Sequence, residues 1–273
     1  MLKECWKKVQ EVSPLVHNIT NYVTVNDVAN VLLAAGGSPI MSDEPEDVED
    51  ITSICGGLNI NIGTLNQRTI EAMFIAGKKA NELKHPVLLD PVGTGASRLR
   101  TETAAKLTQE IHFTVIRGNI SEIKTIALGS GNTRGVDADV ADAVTEDTIS
   151  SAVDFAKKLA GRLDTIIAIT GAIDIVADEN KAYIIRNGRP EMGRITGTGC
   201  QLSGLLTAYL VANPDALLSA AATAVTLMGV AGEIGYENMQ PGDGNSTYRN
   251  RIIDAIYNMD GDTLEKRAKI EVK

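Results

Sequence analysis

The residues able to do chemistry in this chain stand in short loops between apolar runs. The densest loop is Thr196-Gly197-Thr198-Gly199-Cys200, which runs straight into the helical pattern QLSGLLTAYLVA. Gly197 and Gly199 permit a tight turn and close backbone approach. The free N–H groups of a first helical turn, with the helix dipole behind them, then face an anion. Cys200 stands at that helix N-terminus, where a thiol's pKa is expected to fall; a small buried hydrophobe is the other reading of a lone cysteine. A GxG before a helix is also compatible with a plain tight loop.

Other loops add cations, hydroxyls and acids. Arg117 ends an apolar run and calls for an anion or an Arg–Asp partner. Asn119 and Glu122 are three apart, so on a helix beginning there they share a face; an N-cap with its acidic N3 partner has the same spacing. Asp90, before Pro91, either ends a strand or joins Glu122 as an oxygen ligand for Mg²⁺. Thr170-Gly171 and Met41-Ser42-Asp43 likewise follow apolar runs, and His17 reads as a core histidine. No GxxxxGK[ST] is present, and neither Gly93-Thr94-Gly95 nor Gly129-Ser130-Gly131 continues to GxGxxG, which weighs against P-loop and dinucleotide folds.

Positioning these loops requires strands. Runs 58–63, 86–91, 113–119, 165–170 and 181–188 are β-branched or Leu-rich, and SPIM precedes Ser42. The early runs alternate with patterns of three- and four-residue apolar spacing at 69–83 and 103–111, which predicts βαβ units and a parallel sheet covered on both faces. In such sheets ligands bind outside the carboxyl ends of the strands, where all the loops above lie. DIVAD (174–178) and the 181–188 run, joined across Glu179-Asn180, predict a hairpin at one edge. Beyond Gly199 the pattern reads as entirely helical, over 200–212, 215–236 and 246–258, and the acidic stretch 43–51 as the first turn of a helix. With no linker or repeat, residues 1–273 read as one α/β domain with a helical C-terminal region.

Composition narrows the partners. The formal charge is −9, with no Lys/Arg cluster, so nucleic acid is not an expected partner. Three cysteines without CxxC and three histidines without HExxH exclude a disulfide framework and a structural zinc site. The N-terminus reads as an amphipathic helix rather than a signal peptide, and the two long charge-free stretches (195–214, 216–232) read as buried helices rather than membrane spans. The expected location is the cytoplasm. With only three Phe and one Trp, the core must be aliphatic.

Six ordered blocks carry a resemblance to a known family: PLVHNITNYVTVNDVANVLLAAGGSPIMSDEPEDVED, INIGTLN, LLDPVGTGAS, IRGNISEI, IAITGAIDIVAD and ITGTGCQLSGLL. The chain resembles hydroxyethylthiazole kinases of thiamine biosynthesis and salvage, within the ribokinase-like superfamily, across nearly its whole length. The resemblance implies a ribokinase-like fold, with a central, mostly parallel sheet flanked by helices. It implies ATP-dependent phosphorylation of the primary hydroxyl of 4-methyl-5-(2-hydroxyethyl)thiazole. Met41, Asn21 and Gly197 then correspond to substrate positions, and Arg117 and Thr170 to ATP positions. Asn119, Glu122 and Asp90 correspond to those organising Mg²⁺. Gly197, Thr198 and Gly199 form the anion hole, and Cys200 takes the place where the wider superfamily carries an Asp base. The family is typically a homotrimer. The stretch from Gly242 to Tyr248 departs from the family's simpler Gly-x-Gly-Ser-Phe pattern. Two alternatives remain at this point: a kinase of another heterocyclic alcohol, of the hydroxymethylpyrimidine or pyridoxal type, and a non-catalytic small-molecule-binding protein of the same fold.

Overall fold

A computed structural model of the chain describes residues 1–129 and 143–273; Ser130 and Gly131 of the second GxG lie outside them. Among the described residues nine strands form one sheet: β1 Leu15–Ile19, β2 Ser38–Met41, β3 Gly57–Asn61, β4 Val87–Asp90, β5 Val115–Gly118, β6 Ile166–Ile169, β7 Asp174–Ala177, β8 Ala182–Ile185 and β9 Ile270–Val272. The spatial order is β2-β1-β3-β4-β5-β6-β7-β8-β9. Pairing is parallel from β2 through β6 and antiparallel from β6 to β9.

The described helices are α1 Leu2–Val12, α2 Val25–Ala34, α3 Val48–Ile54, α4 Gln67–Glu82, α5 Arg98–Glu110, α6 Ile120–Gly129, α7 Ile149–Leu163, α8 Thr198–Ala212, α9 Leu217–Glu237, α10 Asn245–Tyr257 and α11 Gly261–Arg267. They cover both faces of the sheet. Successive strand residues point to opposite faces, so Val87 and Leu89 join the cluster containing Met73 and Leu107, while Leu88 joins the one containing Leu205 and Tyr209. Because both faces are buried, the strands read as continuous apolar runs rather than alternating ones. Helix α9 is long and apolar enough by composition to cross a bilayer, but most of it is buried within this protein.

Two expectations need correction. The β7–β8 hairpin forms across Glu179-Asn180, with Asp178 Oδ1 accepting from Asn180 N and Lys181 N. It is not the sheet edge, because β9 pairs antiparallel outside β8. For the same reason the region beyond Gly199 is not entirely helical. Strand β9 is three residues long and two of them, Glu271 and Val272, are exposed, so no apolar run marks it; its existence depends on the open edge of β8. The departure at Gly242–Tyr248 is absorbed locally. Tyr248 is buried, its hydroxyl donates to Gly232 O at 2.8 Å, and its ring meets Tyr236 edge-on at 5.7 Å.

Candidate active site

The carboxyl ends of β3, β4, β5 and β6 bring Asn61, Asp90, Arg117 and Thr170 together beneath the N-terminus of α8. Asp90 is fully buried and accepts from Arg117 Nη1 at 3.2 Å, Asn61 Nδ2 at 2.7 Å and Ser203 Oγ at 2.8 Å. Arg117 Nη2 donates to Thr170 Oγ1 at 2.9 Å, which aims the guanidinium between β4 and β6. The Arg–Asp pair admitted by the sequence is therefore present. Its guanidinium nevertheless borders a cavity of about 510 Å³, shared with Asn119, Thr170, Thr198 and Gly199. Arg117 Nε is buried without a partner.

The loop over Arg117 needs its two glycines for different reasons. Gly197 has φ +82°, and a Cβ there would lie 2.1 Å from Thr24 Cγ2. A Cβ on Gly199 would lie 2.5 Å from Arg117 Nη2, so the backbone rests directly on the guanidinium. Cys200, the next residue, does not line the 510 Å³ cavity; nor do Gly197, Asn21 and Met41. Instead Cys200 packs in a small aliphatic cluster with Val16, Val28, Leu32 and Ala208, against which Met41 and Val92 lie. Asn21 Nδ2 reaches Cys200 Sγ at 3.1 Å. The residues singled out from sequence thus divide into two groups, with the Gly197–Cys200 backbone between them.

Asn119 and Glu122 make the reciprocal cap that their spacing allows. Glu122 N donates to Asn119 Oδ1 and Asn119 N to Glu122 Oε2, each at 2.9 Å, while Glu122 Oε1 accepts from Gly93 N at 2.9 Å. The carboxylate therefore tethers the loop after β4 to α6. His17 is buried, with Nε2 donating to Ser42 O and Nδ1 beside Thr52 Oγ1, each at 2.9 Å; burial lowers its pKa, and it supports the Met41 loop as a core histidine.

A model of the hydroxyethylthiazole kinase family matches residues 6–262. The chain belongs to this family. It is 60% identical to the hydroxyethylthiazole kinase of Clostridium acetobutylicum over 271 residues, 99% of each chain. It is 47% identical to that of Ruminiclostridium cellulolyticum, over 96% of this chain and 94% of the relative. Among solved structures, the hydroxyethylthiazole kinase protein of Pyrococcus horikoshii OT3 superposes with a TM-score of 0.87 at 33% identity, covering 100% of this chain and 98% of that one. The pyridoxal kinase of Staphylococcus aureus in complex with ADP matches at TM-score 0.62 and 14% identity, over 95% and 97%; this is a likeness of ribokinase-like fold alone.

In this member of the hydroxyethylthiazole kinase family, the electrostatics of Cys200 run opposite to the expectation from its helix position. Burial and then the Asp90 charge raise its pKa, outweighing hydrogen bonds from Thr24 and Asn21 and the attraction of Arg117. The thiol is neutral near pH 7. Desolvation penalises the charged form more than the first turn of α8 favours it.

The arrangement of acids also differs from a preformed metal cage. Asp90 and Glu122 spend their oxygens on protein donors, and among the described residues no group of three or more His, Cys, Asp or Glu side chains could hold an ion. The donors at hand, two carboxylates and an amide oxygen, are all hard oxygens. That fits Mg²⁺, which takes few carboxylates and completes its shell with waters and substrate phosphates.

Sequence reasoning missed three participants. Asn61 carries a signal, since Asn59 and Asn61 stand at alternate positions in an otherwise apolar strand. Ser203 lies one helical turn after Gly199 and gives no cue of its own. Asp174 opens β7 and lines the 510 Å³ cavity, and burial pushes its carboxyl up to about 7 against the opposing pull of the Gly171 N–H and Arg117.

Proposed function

We propose that this chain transfers the γ-phosphoryl group of ATP to the primary hydroxyl of 4-methyl-5-(2-hydroxyethyl)thiazole, a step of thiamine biosynthesis or salvage. The observation that carries the reading is the division of the site by the Gly197–Cys200 backbone. A cationic, hydroxyl-lined cavity lies on one side, and on the other a packed aliphatic cluster holding Cys200, against which Met41 lies. Phosphates belong in the cavity, and a small apolar heterocycle against the aliphatic side.

In this reading Arg117 and Thr170 hold the phosphates, and the amides of the Gly197–Gly199 turn and of the first turn of α8 receive the charge that develops during transfer. Asp90, Glu122 and Asn119 would hold Mg²⁺, which neutralises phosphate charge. Met41, Asn21 and Gly197 enclose the thiazole. Phosphoryl transfer passes through a loose transition state in most analyses, so aligning the acceptor hydroxyl matters more than a strong base. A buried, neutral Cys200 suits the aligning role: it holds the hydroxyl in line rather than carrying off its proton.

Further parts of the reading concern the whole chain. Residues 1–273 act as one kinase domain, since a single sheet runs from β2 to β9. The assembly is a homotrimer; Tyr22 and Val23, next to Asn21, are 79% and 57% exposed and offer apolar surface beside the substrate pocket. The location is cytoplasmic, in keeping with three buried, unpaired cysteines. ADP release by purified protein with Mg²⁺, ATP and a panel of thiazole, hydroxymethylpyrimidine and pyridoxal alcohols tests the activity. Thiazole-dependent ADP is expected, and no substrate-dependent ADP would sink the enzyme reading. Light scattering on the eluted protein tests the trimer.

A further inference from the structure

Asn61, the last residue of β3, is 1% exposed, and its amide makes four polar contacts. Its Oδ1 accepts from Gly63 N at 2.9 Å and from Asn21 Nδ2 at 3.1 Å. Its Nδ2 donates to Asp90 Oδ2 at 2.7 Å and lies 3.3 Å from Cys200 Sγ. Only an oxygen accepts from a backbone N–H, and only a nitrogen donates to a carboxylate, so the orientation of this amide is determined at both ends. Asn21 is oriented in the same way. Its Oδ1 accepts from Thr24 N at 3.2 Å and Thr24 Oγ1 at 3.0 Å, which turns its Nδ2 toward Cys200 Sγ. The sulfur therefore meets two N–H donors at once, and it accepts from both.

We infer that Asn61 is a positioning residue for phosphoryl transfer: it holds the Cys200 sulfur as a hydrogen-bond acceptor and ties it to the Asp90 carboxylate. The S–H bond is thereby directed away from both asparagines before substrate arrives. The hydroxyl of Thr24 donates to Asn21 Oδ1 at 3.0 Å and so fixes the turn of that amide. Asn61 also joins the two halves of the site, because Asp90 pairs with Arg117 on the phosphate side while the sulfur faces the thiazole side. The charged groups acting on the thiol are Asp90 from β4 and Arg117 from β5, the first opposing its ionisation and the second favouring it. The inference rests on the reading of Cys200 given above.

The test uses Asn61→Ala and Asn61→Leu in the full-length protein. The leucine keeps the volume while removing the donor and adds no charge beside Asp90, so it serves where the alanine variant does not fold. Both are expected to lower kcat by roughly 10–100-fold, with KM for ATP and for the alcohol little changed. Both are also expected to move the pH profile of iodoacetamide alkylation at Cys200, read on its own peptide by mass spectrometry, to higher pH, because a donor to the thiolate has gone. A purely structural Asn61 would not move that profile. A wild-type kcat or an unshifted profile overturns the inference. Cys200→Ala run alongside separates the two levels: full activity in it defeats the reading of Cys200, whereas reduced but measurable turnover in it, with an unshifted profile in the Asn61 variants, defeats Asn61 alone.

Discussion

The guanidinium of Arg117 lies against the α-carbon of Gly199, so closely that a Cβ there would come within 2.5 Å of Nη2 and 2.9 Å of Nη1. Arginine ends usually swing aside, but this one is held by Asp90 and Thr170. Gly199→Ala must therefore displace either the cation or the backbone of the Gly197–Gly199 turn. Since misplacement by about 1 Å can cost roughly 100-fold, kcat/KM for ATP is expected to fall by about that factor in steady-state assays. Wild-type kinetics in this variant would show that the contact has no bearing on turnover.

Removing Arg117 tests stability and binding together. Arg117→Met leaves Asp90 buried without its cation, a change that costs about 3–5 kcal/mol when one partner of a buried pair is lost. Urea melts should show that loss, and KM for ATP should rise more than KM for the thiazole alcohol. Asp90→Asn in the same background should recover much of the stability, because the uncompensated charge goes with it, without recovering the nucleotide affinity.

Asp174 gives a pH dependence with a defined sign. Its carboxyl is raised from an ordinary 3.8 to about 7, so between those values the folded chain binds more protons than the unfolded one. Its contribution to stability is therefore full below the lower value and is lost as pH rises toward about 7. Thermal melts of Asp174→Asn should show a flatter stability profile across this window than the parent protein. Its side-chain oxygen can still accept from Gly171 N, so the turn after β6 is retained. Nucleotide binding at pH 8, measured by calorimetry, should tighten, because a carboxylate facing the 510 Å³ cavity proposed for the phosphates has been neutralised.

Cys200 separates alignment from base catalysis. If the thiol only aligns the hydroxyl, Cys200→Ala keeps measurable turnover and both substrates still bind. Cys200→Asp then introduces a pH-dependent step absent from the parent enzyme. Complete loss of turnover in the alanine variant, with binding intact, would favour the base. The discriminating measurement is kcat against pH for the three proteins.

Much of this site was legible from the chain alone. Short apolar runs between helical patterns gave a parallel sheet, and the loops after those runs held Asp90, Arg117, Asn119, Glu122, Thr170 and the glycine turn before Cys200. These are local statements, since spacing along a strand or helix dictates which face a residue occupies. Tertiary structure decided what the spacing left open. Asn61 and Cys200 are 139 positions apart, and Ser203 and Asp90 are 113 apart, so their contacts follow from strand order and not from neighbouring residues. The ionisation of Cys200 reversed for the same reason: its place at a helix start is local, while the desolvation and the Asp90 charge that outweigh it exist only once the core has closed. Strand β9 likewise forms because the fold leaves the edge of β8 open to pair with it.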